Sequence, residues 1–467
     1  MSRYYLKNNH NGINWIRKQL LEKGPYYTSY PTLGNWSSSE EACGFLDGLK
    51  DFYDTYGQGT PIHLYVHVPF CKKLCWYCIC NSTITKSSSK VQTFVESLVQ
   101  EIGLLNTFFK KNGLKPNIKE IHLGGGTPSY LNNDQFSLLL EQLSKLVNLS
   151  DLDEFAMEID PRSTSKENIL YYIQKGITRI SFGVQDFDLT VQKAINRVQP
   201  PELIEELLTS EVREKISGVN FDLLYGLPFQ TRDTFKKTLE ITAKFSPERI
   251  TLLKYAHVPD IRKHMRLIKE ESLPEEEQLP LIFLDAVEYL LNAGYEWIGI
   301  DNFAKKSDKL AKAVSKKSLW RNFNGWTTQK ENHLIGIGPT ATSAFGKYYF
   351  QSVYELDEYC KAIKKSEFPI HRGFSLNDDD IVRREIIFRL ICHQEVKFNE
   401  IKVPNNIGYQ TYFRNELTTI DEEFGNKGII CRDKDALVVG SKGRFAIRNI
   451  CKIFDKYIDD NYKVLGP

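Results

Sequence analysis

The sequence predicts an α/β protein, and three observations carry that reading. From about residue 61 to residue 300, short β-branched runs alternate with longer segments of helical period, the pattern of successive βα units. Polar residues and glycines cluster just after the runs, where parallel α/β folds present their loops and build their sites. Four of the nine cysteines fall within ten residues, in CKKLCWYCIC at 71 to 80, directly behind the first run.

An N-terminal arm is expected over 1 to 60 and the βα units over 61 to 303. The expected strands are IHLYVHV, IKEIHLG, EFAMEID, TRISFGV, VNFDLLYG and RITLLKYAHV. Between them lie KVQTFVESLVQEIGLLNTFFKK, NDQFSLLLEQLSKLV, ENILYYIQKG, PPELIEELLTS and TFKKTLEITAKF, with apolar residues at i, i+3 and i+4. Six units are too few to close an eight-stranded barrel. Residues 304 to 374 read as a covering or linking segment, and the part from 304 to 350, rich in Lys, Asn, Gly and Thr, as irregular structure. A mostly helical C-terminal domain, 375 to 467, opens on SLNDDDIVRREIIFRLICH. Ser, Asn or Asp can cap that helix, and Ile381, Val382, Ile386, Ile387, Leu390 and Ile391 give it an apolar face. The tail ALVVGSKGRFAIRNICKIFDKYI reads as strand, turn and closing helix, in the manner of a winged-helix module.

Hydrophobic residues at 41% and charged residues at 26% are ordinary globular values. With 61 Lys+Arg against 59 Asp+Glu, nothing advertises nucleic acid or an anionic membrane, which argues against DNA binding by the tail. The N-terminus lacks a signal-peptide apolar region, and no run of about 18 apolar residues occurs, so a cytoplasmic protein without a membrane span is expected. Cys43, Cys360, Cys392, Cys431 and Cys451 stand apart and read as core thiols rather than a disulfide framework.

Cys71, Cys75 and Cys78 have the spacing CxxxCxxC, so one short loop can wrap three thiolates around an iron–sulfur cluster and leave one iron open. A closed zinc site would need a fourth donor. HLGGGTPSYL sets Gly124, Gly125 and Gly126 at a strand end, where missing side chains let backbone approach a ligand. His67 and His122 read as hydrogen-bonded strand residues, not ligands.

The cysteine spacing, with Tyr77 before the third cysteine, resembles the signature of radical S-adenosylmethionine enzymes. Taken with YTSYPTLGNW, FGVQDFDLTVQKAINR, DLLYGLPFQT, YAHVP, RNFNGWTT and GSKGRFAIRNICKIFDKYI, the chain is similar to one family among them, oxygen-independent coproporphyrinogen III oxidase or coproporphyrinogen dehydrogenase. That resemblance implies a partial (β/α)6 TIM-like barrel and a helical C-terminal domain. It implies one [4Fe-4S] cluster on Cys71, Cys75 and Cys78, and two S-adenosylmethionine molecules. Tyr65, Tyr77, Gly125, Gly126, Thr127, Glu158, Gln185, Arg197, Asp222 and Ala256 would line the first cofactor site, with Phe323, Asn324 and Thr342 near the second. A zwitterionic sulfonium nucleoside needs acceptors for its hydroxyls and amine and a donor for its carboxylate, which these strand-end side chains supply.

The implied reaction is oxidative decarboxylation of two propionates of coproporphyrinogen III to vinyl groups, giving protoporphyrinogen IX for anaerobic heme biosynthesis. A deoxyadenosyl radical would take hydrogen from the propionate carbon β to the carboxylate, after which carbon dioxide and one electron leave. A low-potential donor such as flavodoxin or ferredoxin, and a monomeric enzyme, are implied as well. Cys80 distinguishes decarboxylating members from heme carriers of the wider family, which implies a functional thiol in the active-site cavity that does not ligate iron.

The chain departs from the family pattern at four places. Tyr26 stands where the family usually carries arginine, Asn324 and Thr342 where glutamine and isoleucine are common, and Glu395 at an arginine position. These changes bear on the porphyrinogen site and keep open a member acting on another tetrapyrrole or as a radical methyltransferase. A non-catalytic heme carrier is the reading from another class.

Overall fold

The computed structural model describes residues 10–38, 44–329, 333–425 and 428–458. All six expected runs form strands: β1 Pro61–Val68, β2 Asn117–Gly125, β3 Glu154–Ile159, β4 Arg179–Gln185, β5 Gly218–Tyr225 and β6 Arg249–Lys254. They pair in chain order, each parallel to the next. Helices follow the strands, as in a partial (β/α)6 barrel, and bury one strand face while the other lines the interior. Three of these helices start on side-chain caps: Ser87 accepts from the amide of Lys90, Asn132 from Gln135 and Thr231 from Thr234.

Charged residues close the end of the barrel where the strands begin. Arg179 Nε meets Glu154 at 2.9 Å, Arg249 Nε meets Asp308 at 3.0 Å, and Lys309 Nζ meets Glu120 at 2.7 Å. The opposite end, where the strands finish, is left for chemistry.

The stretch from 304 to 350 is not irregular. Strand β7, His333–Ile337, runs parallel to β1 on its free side, and Thr342–Phe345, Tyr348–Ser352 and Ile370–Ser375 continue the sheet as an antiparallel meander. On the far edge, Asn302–Lys305 pairs antiparallel with β6 and Tyr295–Gly299 follows it. The strands after residue 304 are short, and close approach suppresses their β-branched signal: a Cβ on Gly336 would lie 2.4 Å from the Thr342 carbonyl oxygen.

The C-terminal domain has the expected capped helix, Asp378–His393, whose Asn377 side chain accepts from the Asp380 amide at 3.0 Å. A three-stranded antiparallel sheet, with Ala436–Val439 in the middle, and the helix Ile447–Lys452 complete a winged-helix-like unit. Tyr27 and Tyr30 of the arm are buried in this second core, and Tyr27 Oη donates to Asp455 at 3.0 Å. The arm is thereby tied to the far end of the chain. Cys360, Cys392 and Cys451 are buried thiols, but Cys431 is exposed on its strand, since the wing offers only one covered face. Cys43 lies outside the described residues.

Glu101 is a buried carboxyl between helix Ser88–Lys111 and the turn after β7; it accepts from Tyr359 Oη at 2.6 Å and the Gly338 amide at 2.9 Å. Burial pushes it up to about 7 from its ordinary 4.5. The folded chain therefore binds more protons than the unfolded one between those values. Its contribution is most favourable below pH 4.5 and is lost as pH rises through 7. The full swing is about 3 kcal/mol. Urea unfolding of the wild type and of Glu101→Gln at pH 5 and pH 8 is expected to show that difference disappearing in the variant.

Candidate active site

The chain leaves β1 through the two-residue strand Phe70–Cys71 and enters the cysteine loop. Cys71 Sγ lies 3.4 Å from Thr127 Oγ1. The buried Cys75 sulfur receives Arg162 Nη2 at 3.2 Å and Arg197 Nη1 at 3.4 Å. Asp160 sits between the two guanidiniums, 2.6 Å from Arg162 and 3.4 Å from Arg197. Burial opposes its charge, yet Arg197 and Arg162 hold it well below the usual carboxylate range. Three bonds pin the loop backbone: Trp76 amide to Ile195 O at 3.0 Å, Asn196 Nδ2 to Leu74 O at 2.8 Å, and His264 Nε2 to Cys78 O at 2.8 Å. Cys78 is pulled down to about 7 by its hydrogen bond with Cys80, and the same bond pushes Cys80 well up. Cys80 itself is exposed.

The donor set fits an iron–sulfur cluster. Thiolates are soft ligands, and two guanidiniums face Cys75. Among the described residues no three His, Cys, Asp or Glu side chains converge on a single metal ion.

The glycine run forms the neighbouring wall. Gly125 has φ +114°, and a Cβ there would lie 2.7 Å from the His67 ring. A Cβ on Gly126 would lie 2.7 Å from the Pro69 carbonyl carbon and 2.9 Å from Phe70 O, so backbone lies directly on backbone where the cysteine loop begins. Glu158 accepts the Gly125 amide at 3.2 Å and His122 Nε2 at 3.0 Å, and keeps 39% of its side chain exposed for further partners. Burial works against charge on His122, but Glu158 raises its pKa overall. His67 Nε2 faces the Asn81 carbonyl at 3.0 Å and must carry the proton, so its Nδ1 accepts from Tyr65 Oη at 3.1 Å. Burial lowers the pKa of His67 and favours this neutral ring. Both histidines are hydrogen-bonded, as expected from sequence.

Later strand ends supply the remaining side chains. Gln185 holds a left-handed φ of 66° at the end of β4, an uncommon conformation for a non-glycine residue and one that clusters at functional sites. Arg197 donates twice to Gly183 O, at 3.1 and 2.7 Å, which fixes its guanidinium beside the loop. Asp222 accepts from Ser181 Oγ at 2.7 Å and Asn220 Nδ2 at 2.8 Å; burial, with the charge of Glu158, raises its pKa. Tyr77 packs in a small apolar cluster with Leu224 and Tyr255, and Ala256 follows half-buried.

Phe323 and Asn324 lie elsewhere, in the turn of a separate hairpin, where Phe323 meets Trp36 edge-on at 5.5 Å. Thr342 begins the strand next to β7. It neighbours Gly336, which is in register with Tyr65, so two strand spacings, about 10 Å, separate Thr342 from Tyr65. Sequence reading missed Asp160 and Arg162; the DPR that ends the third run was the available signal, but the contact of Arg162 with Cys75 spans 87 positions, and Asp160 acts by holding Arg162 and Arg197. Two departures find compensation. Arg448 stacks its guanidinium 4.6 Å above the Tyr26 ring, and Lys317 pairs with Glu395.

The loop and the strand ends define a radical S-adenosylmethionine protein, and residues 65–241 match the model of the Radical SAM superfamily. An oxygen-independent coproporphyrinogen III oxidase from Pseudomonas aeruginosa is 37% identical, over 96% of this chain and 96% of its own length. One from Escherichia coli is 35% identical, again over 96% of each chain. A solved structure of Escherichia coli coproporphyrinogen III oxidase, described as a radical SAM enzyme, superposes with a TM-score of 0.86 at 36% identity, covering 93% of this chain and 98% of that one. The chain belongs to the oxygen-independent coproporphyrinogen III oxidase family, whose chemistry rests on a [4Fe-4S] cluster and S-adenosylmethionine. Among the described residues no helix is long and apolar enough to cross a membrane.

Proposed function

We propose that this chain decarboxylates two propionates of coproporphyrinogen III oxidatively to vinyl groups, giving protoporphyrinogen IX. The observation that carries the reading is likeness to the named oxidases over 96% of the chain, far beyond the 65–241 segment that the superfamily shares. The likeness does not favour the other tetrapyrrole, methyltransferase and heme-carrier readings.

In this reading Cys71, Cys75 and Cys78 hold the cluster, and Arg162 and Arg197 position Cys75 through their contacts with its sulfur. When bound, the cluster and S-adenosylmethionine supply the deoxyadenosyl radical that removes hydrogen from the propionate. Gly125 and Gly126 give backbone access to the methionine end, with Thr127 beside Cys71. Glu158, Gln185, Asp222 and Arg197 orient the nucleoside through its hydroxyls, amine and carboxylate, and Tyr65, Tyr77 and Ala256 line it. The chain mainly positions the reacting carbon and excludes water. We place a second S-adenosylmethionine near Phe323, Asn324 and Thr342, and read the enzyme as a cytoplasmic monomer fed by a flavodoxin or ferredoxin.

Cys80 serves here as a thiol beside the substrate that does not ligate iron. Cys80→Ser is expected to keep full iron content and to slow turnover on the order of a hundredfold, the scale of a positioned proton-transfer group. Loss of iron would reassign it as a ligand. The reading as a whole is tested by anaerobic reconstitution, reduction, and chromatography of nucleosides and porphyrins. 5′-Deoxyadenosine with protoporphyrinogen IX is expected; S-adenosylhomocysteine with a methylated product would overturn it.

A further inference from the structure

Where the arm, the end of β6 and the C-terminal domain meet, a partly open cavity of about 40 Å³ is lined by Tyr26, Lys254, Trp297, Asp301, Arg444 and Arg448 among apolar side chains. It lies outside the barrel, apart from the cysteine loop. Thr251 is in register with Asp222 and donates from Oγ1 to Asn220 at 3.3 Å, and Asn220 bonds Asp222 in turn, so these side chains share the interior face. Alternation along β6 turns Lys254 to the opposite face. Such a volume holds a few waters or one small ion.

Three cations line this cavity against one carboxylate. Arg444 stacks 4.3 Å over the Trp297 ring and donates from Nη2 to Trp297 O at 2.6 Å; Arg448, over Tyr26, donates from Nη1 to Gly24 O at 3.0 Å. Among the described residues neither guanidinium forms an ion pair, although each carries five N–H donors. Asp301 is engaged elsewhere: it accepts from Asn302 Nδ2 at 2.6 Å and faces Arg321 at 3.9 Å. Burial pushes Arg444 down to about 10 against the pull of Glu296. Burial lowers Lys254 as well, with Arg448 and Lys23 adding to the effect and Glu276 opposing it. Desolvated positive charge without a counter-ion is costly, and an anion in the cavity removes that cost.

We propose that this cavity binds a small oxyanion, of carboxylate or phosphate type, between Lys254, Arg444 and Arg448. A guanidinium meets the oxygens of such an ion with paired N–H donors, and the ammonium adds a point charge. Burial keeps the Tyr26 hydroxyl protonated, so it is a further donor to the same ion. Tyr26 belongs to the arm, Lys254 to the barrel, and Arg444 and Arg448 to the C-terminal domain. One bound ion therefore ties all three together and stabilises the fold by mass action.

The test titrates the full chain with sodium phosphate and, separately, sodium acetate, each against sodium chloride at equal ionic strength, and follows tryptophan emission and thermal unfolding. Trp297 lines the cavity and reports on it directly. At least one of the two oxyanions is expected to change the emission saturably and to raise Tm by about 2–4 °C at saturation, with chloride doing neither. Tighter binding of phosphate assigns the cavity to a phosphate group, and tighter binding of acetate to a carboxylate. Arg444→Gln and Lys254→Met are each expected to weaken affinity at least tenfold, the scale of a lost hydrogen bond to a charged group, and Tyr26→Phe severalfold. Lys254 sits at a strand end and is only partly buried, so its variant keeps the test valid where Arg444→Gln disturbs packing. No saturable response to either oxyanion, an equal response to chloride, or unaltered affinity in the Lys254 variant overturns the proposal.

Discussion

Cys75→Ala is expected to reduce iron at the loop to background and 5′-deoxyadenosine formation at least a thousandfold, while the fold persists. Cys75 is the thiol that two guanidiniums face, at 3.2 and 3.4 Å, so its removal takes away both the proposed ligand and the partner of those two contacts. The remaining partners, Asp160 and Gly183 O, still hold Arg162 and Arg197 in place. The stability cost should therefore stay near 1 kcal/mol, an ordinary value for a small deletion. Iron and sulfide analysis with thermal unfolding followed by circular dichroism separates the two effects. Retained iron at wild-type stoichiometry would remove Cys75 from the ligand set.

Gly126→Ala is expected to be nearly as damaging, through sterics alone. The added methyl would lie 2.7 Å from the Pro69 carbonyl carbon and 2.9 Å from Phe70 O, atoms of backbone that cannot rotate aside. Overpacking of this kind costs about 1–3 kcal/mol. The larger consequence is positional, because relief of the clash pushes the glycine wall away from the cysteine loop. Displacement near 1 Å in a positioned site costs about a hundredfold. Affinity for S-adenosylmethionine should fall on that scale. Gly59→Ala, with nothing within 4 Å of the added methyl, is the control, and should leave binding unchanged.

The six barrel strands were legible because burial makes each an apolar run, and because loops and caps punctuate them. The helix Asp378–His393 was legible from its cap and its apolar side chains together. What escaped was structure made by distant pairing. The short strands after residue 304 contain Gly336, Asn322 and Ala344, whose preference for strands is weak, and only the neighbouring strands make them extended. The site shows the same division. CxxxCxxC and the glycine run are local, so their residues could be named; Arg162 reaches Cys75 across the fold, held by Asp160, and no spacing announces it. Arg448 over Tyr26 and Lys317 beside Glu395 are likewise contacts from other elements, and they supply the cations that the sequence alone showed as missing.

The proposed placing of a propionate carbon of coproporphyrinogen III against the 5′ carbon of S-adenosylmethionine is tested most directly with substrate deuterated at the propionate carbon β to the carboxylate, in a single anaerobic turnover read by mass spectrometry. One deuterium is expected in each 5′-deoxyadenosine formed, together with a porphyrin product that has lost carbon dioxide. Unlabelled 5′-deoxyadenosine alongside that product would contradict it.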